Sequence, residues 1–319
     1  MMTAMATARI EPLAADAFAS HRGYLWAVAY RMLGSAADAD DTLQDTFVRA
    51  LERPPARLDE PLRPWLTRVL VNVARDRLRD RKRRGYVGPW LPSPIETEPV
   101  PDEPAAPDAL SPGARYDLRE SASFAFLLAL EALTPNQRAV VLMRDVVDAS
   151  VEEAADVLGL SVANVKVQHH RARKRLESYE RSRVRTPSAA ANEVLARFMT
   201  CLATDDVAGL EELLAGDVRV LSDGGGEFHA ARVPVVGVAK VITFLRKVLR
   251  LWPEDTRYEL RWINGAPAIF GEAERGRAGE PPRFVTRLEL DGDGRVREIH
   301  TVLATAKLTA IYRMPPTER

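Results

Sequence analysis

Residues 150–176, SVEEAADVLGLSVANVKVQHHRARKRL, read as an apolar-periodic helix, a Gly-Leu-Ser turn and a second helix closing on Arg171-Ala172-Arg173-Lys174-Arg175. The spacing puts Ala154, Ala155, Val157 and Leu158 on the inner face of the first helix. Gly159 supplies the left-handed turn that a residue with a β-carbon resists. Ser161 is placed to cap the second helix by accepting an orphan backbone N–H, with Val162, Val165 and Ala172 packing inward. Asn164, Lys166, Val167, His170, Arg171 and Lys174 are left facing outward. This is the pattern of a helix-turn-helix, whose second helix enters a DNA major groove and meets base edges and phosphates. Any amphipathic helix pair separated by a glycine meets the same pattern, so its surroundings must decide.

Upstream of this pair, helical periodicity runs from Tyr116 to Leu133, and a further helix opens at Thr134-Pro135, with proline in the first turn. Earlier still, Phe18, Leu25, Val28, Ala29 and Met32 form one stripe. A break follows at Gly34-Ser35, and Ala39, Leu43, Phe47 and Leu51 form a second stripe, giving two antiparallel helices. Arg53-Pro54-Pro55 stops the second, a loop passes Leu58 and Pro61, and a third helix spans about Arg63 to Arg83 on Trp65, Leu66, Val69, Leu70, Val73 and Leu78. Pro89 to Pro112 holds eight prolines among acids and few large apolar residues; such a stretch cannot offset its ordering entropy and reads as a linker.

A second shift in composition follows Thr186-Pro187-Ser188. Two helices to about Leu214 precede short β-rich runs at Val218–Ser222, Phe228–Val233, Arg257–Trp262, Ala268–Gly271, Pro282–Leu290 and Val296–Leu303, with a helix near Val238–Leu251 among them. Asp291-Gly292-Asp293-Gly294 is a hairpin turn. The third domain is therefore α+β, helices first and an antiparallel sheet after.

The 319 residues carry no net formal charge at pH 7, so basic residues matter where they cluster. Arg75 to Arg84 holds seven in ten positions, and Lys166 to Arg185 is similarly basic, so two separated patches can each meet phosphate. The single cysteine, Cys201, excludes an intramolecular disulfide and a cysteine-rich metal site and fits a reducing cytoplasm. No apolar run approaches the length of a membrane span. The first 14 residues read as a disordered leader.

The order of these pieces resembles the two-domain core of the extracytoplasmic-function sigma factors of RNA polymerase. The resemblance is carried by Tyr30-Arg31-Met32-Leu33-Gly34-Ser35, Asp38-Ala39-Asp40-Asp41, Gln44-Asp45, Phe47, Pro64-Trp65-Leu66, Asn72, Asp76-Arg77-Leu78, Leu133-Thr134-Pro135, Gln137-Arg138 and Arg171-Ala172-Arg173. It implies that the helix bearing Asp41, Gln44 and Asp45 docks on the polymerase beta-prime clamp, with the beta flap a further contact; a carboxylate-rich face suits a basic partner. It further implies that the third helix engages the minus-10 promoter element through Asn72, Arg75, Arg79 and Arg83, where a melted strand needs a positive surface. The helix-turn-helix then reads the minus-35 element, with Arg171, Arg173 and Lys174 on phosphates and Asn164, Lys166 and His170 on bases. His169 stands where the family usually has Leu or Ile.

Tyr86-Val87-Gly88-Pro89-Trp90-Leu91-Pro92-Ser93-Pro94 is similar to the linker motif of the sigma-factor subgroup with a fused SnoaL-like domain of the nuclear transport factor fold. Asp223-Gly224-Gly225-Gly226 and Ile263-Asn264-Gly265-Ala266-Pro267 match further segments of that subgroup. Of its Asn-Pro-Asp-Lys-Leu motif only Lys307-Leu308 remains. Tyr86, Trp90 and Leu91 carry apolar area in a polar linker and are expected to anchor on the third domain, so that it modulates promoter-directed initiation in cis, in place of a separate anti-sigma factor. Trp252, Trp262, Phe270 and His300 are candidates to line a pocket for a small ligand. No catalytic constellation is apparent, and neither cofactor nor metal is called for.

The expected organisation is a leader (1–14), a region 2 domain (15–85), a linker (86–115), a region 4 helix-turn-helix domain (116–183) and a SnoaL-like domain (190–315): two all-α domains and one α+β domain in a cytoplasmic, non-enzymatic protein. The competing readings are a helix-turn-helix regulator independent of polymerase and a DNA-tethered SnoaL-like isomerase or ligand sensor.

Overall fold

The computed structural model describes residues 2–55, 61–97, 121–182, 188–274 and 279–314. Leu58, linker residues 98–115, the start of the helix expected from Tyr116, and Thr186-Pro187 lie outside the described residues. The chain forms two compact units. One holds the described residues up to Arg84, Ser121 and Ala129–Glu177; the other holds those from Gly85 to 97, Ala122–Leu128 and those from Ser178 on.

In the first unit, helices α1 (Met2–Leu33), α2 (Ala36–Glu52) and α3 (Leu62–Arg84) pack pairwise. The apolar stripes become the core: Leu25, Val28, Ala29, Met32, Ala39, Leu43, Leu66, Leu70 and Val73 are all buried. Gly34, at φ 64°, makes the turn between α1 and α2, and the Ser35 hydroxyl caps α2 by accepting from Asp38 N. Residues 2–14 are helical backbone continuous with α1, in contrast to the expected disordered leader; the alanines at 4, 6, 8 and 14 are strong helix formers.

The same unit contains α5 (Pro135–Val141), which runs on as a π turn over Leu142–Val146, together with α6 (Val151–Leu158) and most of α7 (Val162–Ser182). The preceding helix, α4 (Phe124–Glu131), contributes its last residues. Thr134 with Gln137 and Ser150 with Glu153 form reciprocal capping boxes. Helix α3 packs on both α5 and α6.

Buried Arg138 and Arg31 and half-buried Arg81 fasten this packing. Arg138 donates to Met32 O (2.9 Å), Leu130 O (2.8 Å) and Glu131 (2.7 Å), while Arg81 donates to Leu33 O (2.9 Å) and to the same carboxylate. Burial lowers the pKa of Arg138, against the opposing pull of Glu131. Burial also takes Arg31, whose Nε donates to Ser121 Oγ, down to about 10.

In the second unit, α8 (Ser188–Ala203) and α9 (Val207–Leu213) lead into a six-stranded sheet, with α10 (Val238–Leu251) inserted. The strands are β1 (Leu214–Asp223), β2 (Val235–Val236), β3 (Thr256–Ile263), β4 (Ala266–Ala273), β5 (Arg283–Leu290) and β6 (Val296–Val302), in the order β2-β1-β6-β5-β4-β3. Among the described residues, only the β1–β6 pairing is parallel. Phe228–Val233 is not a strand but a loop. The turn through Gly225 (φ 62°) and Gly226 (φ 77°) and the missing N–H of Pro234 keep it off the sheet.

Alternation along the strands gives the sheet two faces. Val218, Val220 and Ile299 pack with Phe198, Leu210, Leu213 and Val241 of the helices. On the opposite face Phe270, Val285 and Val302 are covered by Leu91, Phe124, Leu308, Ile311 and Met314. The stretch from Gly85 to 97 and the segment Ala122–Leu128 therefore belong structurally to the C-terminal sheet.

Candidate functional site

The helix-turn-helix forms as its spacing predicts. Ala154, Ala155, Val157 and Leu158 are buried, Gly159 is left-handed, and the Ser161 hydroxyl accepts from Asn164 N. On α7, Val165, Ala172 and Leu176 are buried, whereas Val162, in the first turn, is 36% exposed and does not pack inward as expected. Lys166, His170, Arg171 and Lys174 are exposed, and Arg173 is half-buried. Asn164 is also half-buried, its amide oxygen accepting from Gln168 at 3.2 Å.

On α2, Asp41 and Gln44 are exposed and Asp45 is half-buried. Arg77 on α3 reaches both carboxylates, at 3.5 Å from Asp41 and 2.8 Å from Asp45. The four residues expected at the minus-10 element share α3 but not their surroundings. Asn72, Arg79 and Arg83 are exposed, Arg79 pairing with Asp76 at 2.8 Å and Arg83 with Asp80. Arg75 is turned inward and donates to Leu158 O at 3.1 Å, at the end of α6. A cleft of about 580 Å³ lined by Arg79, Gln137, Gln168, Arg171 and Arg175 brings one expected minus-10 residue beside one expected minus-35 residue.

In the second unit, the residues singled out from the linker, the glycine-rich loop and the Lys-Leu remnant converge on Asp223. This carboxylate is fully buried at the end of β1. Oδ1 accepts from Tyr86 OH (2.6 Å) and Gly225 N (2.9 Å); Oδ2 accepts from Leu91 N (2.7 Å) and Lys307 Nζ (2.6 Å). The Lys307 ammonium also donates to Leu91 O and lies over the rings of Tyr86 (4.7 Å) and Trp90 (4.3 Å). Leu308 is buried in the same core as Leu91.

Space requires glycine at 224 and 225, and backbone angle requires it at 225 and 226. A β-carbon on Gly224 would lie 2.5 Å from Phe228 O, and one on Gly225 would lie 2.8 Å from Ala304 Cβ. Gly226, at φ 77°, continues the left-handed turn. Asp223 is thus a turn former and the ionic centre of a clamp on the linker, where the spacing alone pointed to a turn.

A residue without an assigned role grips both ends of the inter-helical connection. Asn264, in the β3–β4 turn at φ 52°, exchanges hydrogen bonds with Ile95: Asn264 N donates to Ile95 O and Ile95 N donates to Asn264 Oδ1, each at 3.0 Å. Its Nδ2 donates to Ala122 O at 2.8 Å. The sequence signal was the Asn-Gly pair, which marks a left-handed turn but says nothing of what its side chain reaches.

The four aromatic candidates do not line one pocket. Cross-strand pairing places Phe270 with Val285 on the linker-covered face, and His300 opposite Arg287 on that face. Trp262 alternates onto the other face, where Trp252 meets Phe284 at 4.4 Å. His300 is buried, 6.2 Å from the Phe124 ring, with Nε2 2.7 Å from Glu298. Burial disfavours the Glu298 carboxylate, but His300 and Arg219 outweigh it and hold its pKa down to about 2. Beside the glycine loop, a cavity of about 160 Å³ is lined by Val87, Gly88, Gly224, Gly226 and Phe228; sites for drug-sized ligands run to roughly 300 Å³ or more.

Residues 17–84 match the family described as Sigma-70 region 2, and residues 123–176 match Sigma-70, region 4. Over 230 residues the chain is 34% identical to the ECF RNA polymerase sigma factor SigJ of Mycobacterium tuberculosis, covering 72% of this chain and 70% of that protein. It is 26% identical over 304 residues to the probable ECF RNA polymerase sigma factor SigI of the same organism, covering 93% and 95%. The crystal structure of M. tuberculosis SigJ matches with a TM-score of 0.69 at 28% identity, over 91% of this chain and 96% of that one.

Proposed function

The chain belongs to the extracytoplasmic-function RNA polymerase sigma factors, and from that premise we propose how its residues divide the work of promoter-directed initiation and how the C-terminal unit governs it. Residues 15–85 act as the polymerase- and minus-10-binding domain, residues 116–183 as the minus-35 reader, and residues 190–315 as a cis-acting SnoaL-like regulator joined through 86–115. Asp41, Gln44 and Asp45 meet the beta-prime clamp. Asn72, Arg79 and Arg83 serve the melted minus-10 strand, and Asn164, Lys166, His170, Arg171, Arg173 and Lys174 the minus-35 duplex; the helix-turn-helix domain also meets the beta flap. The protein works in the cytoplasm, with polymerase, and its C-terminal domain needs no catalytic chemistry for this role.

Arg75 joins the minus-10 set only after release. Its hydrogen bond to Leu158 O and the Arg68–Asp156 pair at 3.3 Å hold α3 against the first helix of the helix-turn-helix. The two promoter elements lie on separate turns of DNA, so both cannot be read while that contact persists. Opening of α3 from α6 is therefore a step in promoter engagement.

The observation that carries cis-regulation is the grip of the C-terminal sheet on both ends of the connection between the readers. The chain leaves α3 at Arg84 and from Tyr86 to Leu91 is held on Asp223 and Lys307; before Ala129 it is held again through Ala122 and Phe124. Tyr86, Trp90, Leu91, Asp223, the three following glycines, Lys307 and Leu308 thereby set the reach of the minus-35 reader from the minus-10 reader, with no separate anti-sigma factor required. The test is promoter-directed transcription by core polymerase with the full chain and with a fragment ending near Arg185. Changed activity and a changed tolerance for promoter spacer length are expected; identical activity and identical spacer preference would refute cis-control.

A further inference from the structure

The recognition helix has one polar member in its inward stripe. Val165, His169, Ala172 and Leu176 recur at the spacing of a single helical face; Val165, Ala172 and Leu176 are buried and His169 is half-buried. His169 points at Asp145, and its Nε2 lies 2.9 Å from each carboxylate oxygen.

Asp145 sits in the π turn Leu142–Val146, where Val147 N donates to Leu142 O, and it is only 5% exposed. A carboxylate so far removed from water needs a partner, and among the described residues His169 is the one that supplies it. π turns insert a residue into the helical repeat and re-aim side chains; here the re-aimed group is the acceptor for the recognition helix.

We propose that Asp145 and His169 form a positioning pair that sets the rotation and height of α7, and hence the register in which Lys166 and His170 meet base edges. Apolar packing of Val165, Ala172 and Leu176 holds the helix through shape; a contact from one ring nitrogen to two carboxylate oxygens adds a direction that shape does not supply. Lys166 precedes His169 by three residues and His170 follows it directly, so a rotation of α7 about its axis displaces both from the groove floor. Arg171 and Lys174, as phosphate contacts, tolerate such a shift better because they carry no sequence information. The inference rests on the minus-35 reading of this helix.

The test uses the full chain with core polymerase on a promoter library randomised across the minus-35 element. H169L, H169Q and the double variant D145L/H169L are compared with the parent, alongside thermal melting and binding to non-specific duplex. H169L is expected to lower discrimination at the bases facing Lys166 and His170 by about tenfold while leaving non-specific binding within about twofold. H169Q, whose amide still donates to Asp145, should keep discrimination within about threefold of the parent. The double variant should recover the melting temperature without recovering the parent base preference.

An unchanged preference profile in folded H169L, or in the double variant if H169L does not fold, would overturn the proposal. A parent protein whose transcription ignores the minus-35 sequence would instead refute the reading of α7 as its reader, a result separable from the first.

Discussion

Replacing Asp223 with alanine should free the linker before it unfolds anything else. The carboxylate accepts four hydrogen bonds, from Tyr86 OH, Gly225 N, Leu91 N and Lys307 Nζ, and is fully buried; the Lys307 side chain is only 9% exposed. Hydrogen bonds to a charged acceptor contribute roughly 1.5–3 kcal/mol each. Breaking a buried ion pair from one side costs roughly 3–5 kcal/mol, because the other charge is stranded. The bonds share one acceptor and do not add, so the expected loss is about 4 kcal/mol. It falls on contacts between residues 86–91 and the sheet rather than on the helix-facing core, so local release precedes global unfolding. The assay is native-state hydrogen exchange at the Leu91 amide, which donates to Asp223 at 2.7 Å. A 4 kcal/mol loss raises the open population, and the exchange rate, by a factor on the order of 1,000. K307M should do less, because Asp223 keeps its three other donors. Leu91 exchange in the alanine variant within about tenfold of the parent would show that the linker is held by apolar packing and not by this carboxylate.

Glu298 gives the C-terminal unit a sensitivity to acid. Its pKa falls from 4.5 to about 2 on folding, so the stabilisation, up to about 3 kcal/mol, is present above the unfolded value and fades as the pH drops from about 4.5 toward 2; urea unfolding at several pH values should show this slope and E298Q should flatten it. Gly271→Ala should destabilise the sheet by about 1–3 kcal/mol, because its β-carbon would lie 2.0 Å from Phe284 Cε1; displacement of that ring from Trp252 should alter the tryptophan emission. Arg138→Met removes donors from Met32 O, Leu130 O and Glu131, and a loss of about 3–5 kcal/mol is expected in chemical denaturation of the helical unit. Asn264→Ala should raise exchange at Ile95 N, whose acceptor is lost, with a smaller effect at Leu91.

The helical boundaries were legible where the information is local. Thr134-Pro135 marked a helix start, Ser161 a cap and Gly159 a stop, each from residues next to the boundary. The inward stripes of α1 to α3 followed from residues three and four apart. Phe228–Val233 is short and mixed in polarity, without a clean two-residue alternation, and the glycine turn before it and Pro234 after it keep it off the ladder. Val162 misled because a first-turn position can face solvent even when its spacing continues the inner stripe. The expected grouping of the four aromatics in one pocket fails because strand parity sends Phe270 and His300 to one face and Trp262 to the other.

By itself the sequence determined the kind of each element, the helix-turn-helix and its exposed basic face, the family, and the motifs that matter, because capping, periodicity and turn chemistry act between residues a few positions apart. Only the tertiary structure decided what those motifs touch. Asp223 lies 137 positions from Tyr86 and 84 from Lys307, Arg75 is 83 from the carbonyl that buries it, and His169 is 24 from the carboxylate it meets. Such pairings are set by burial, since a charge withdrawn from water must find its partner wherever the packed chain brings one, and no local pattern encodes where that is.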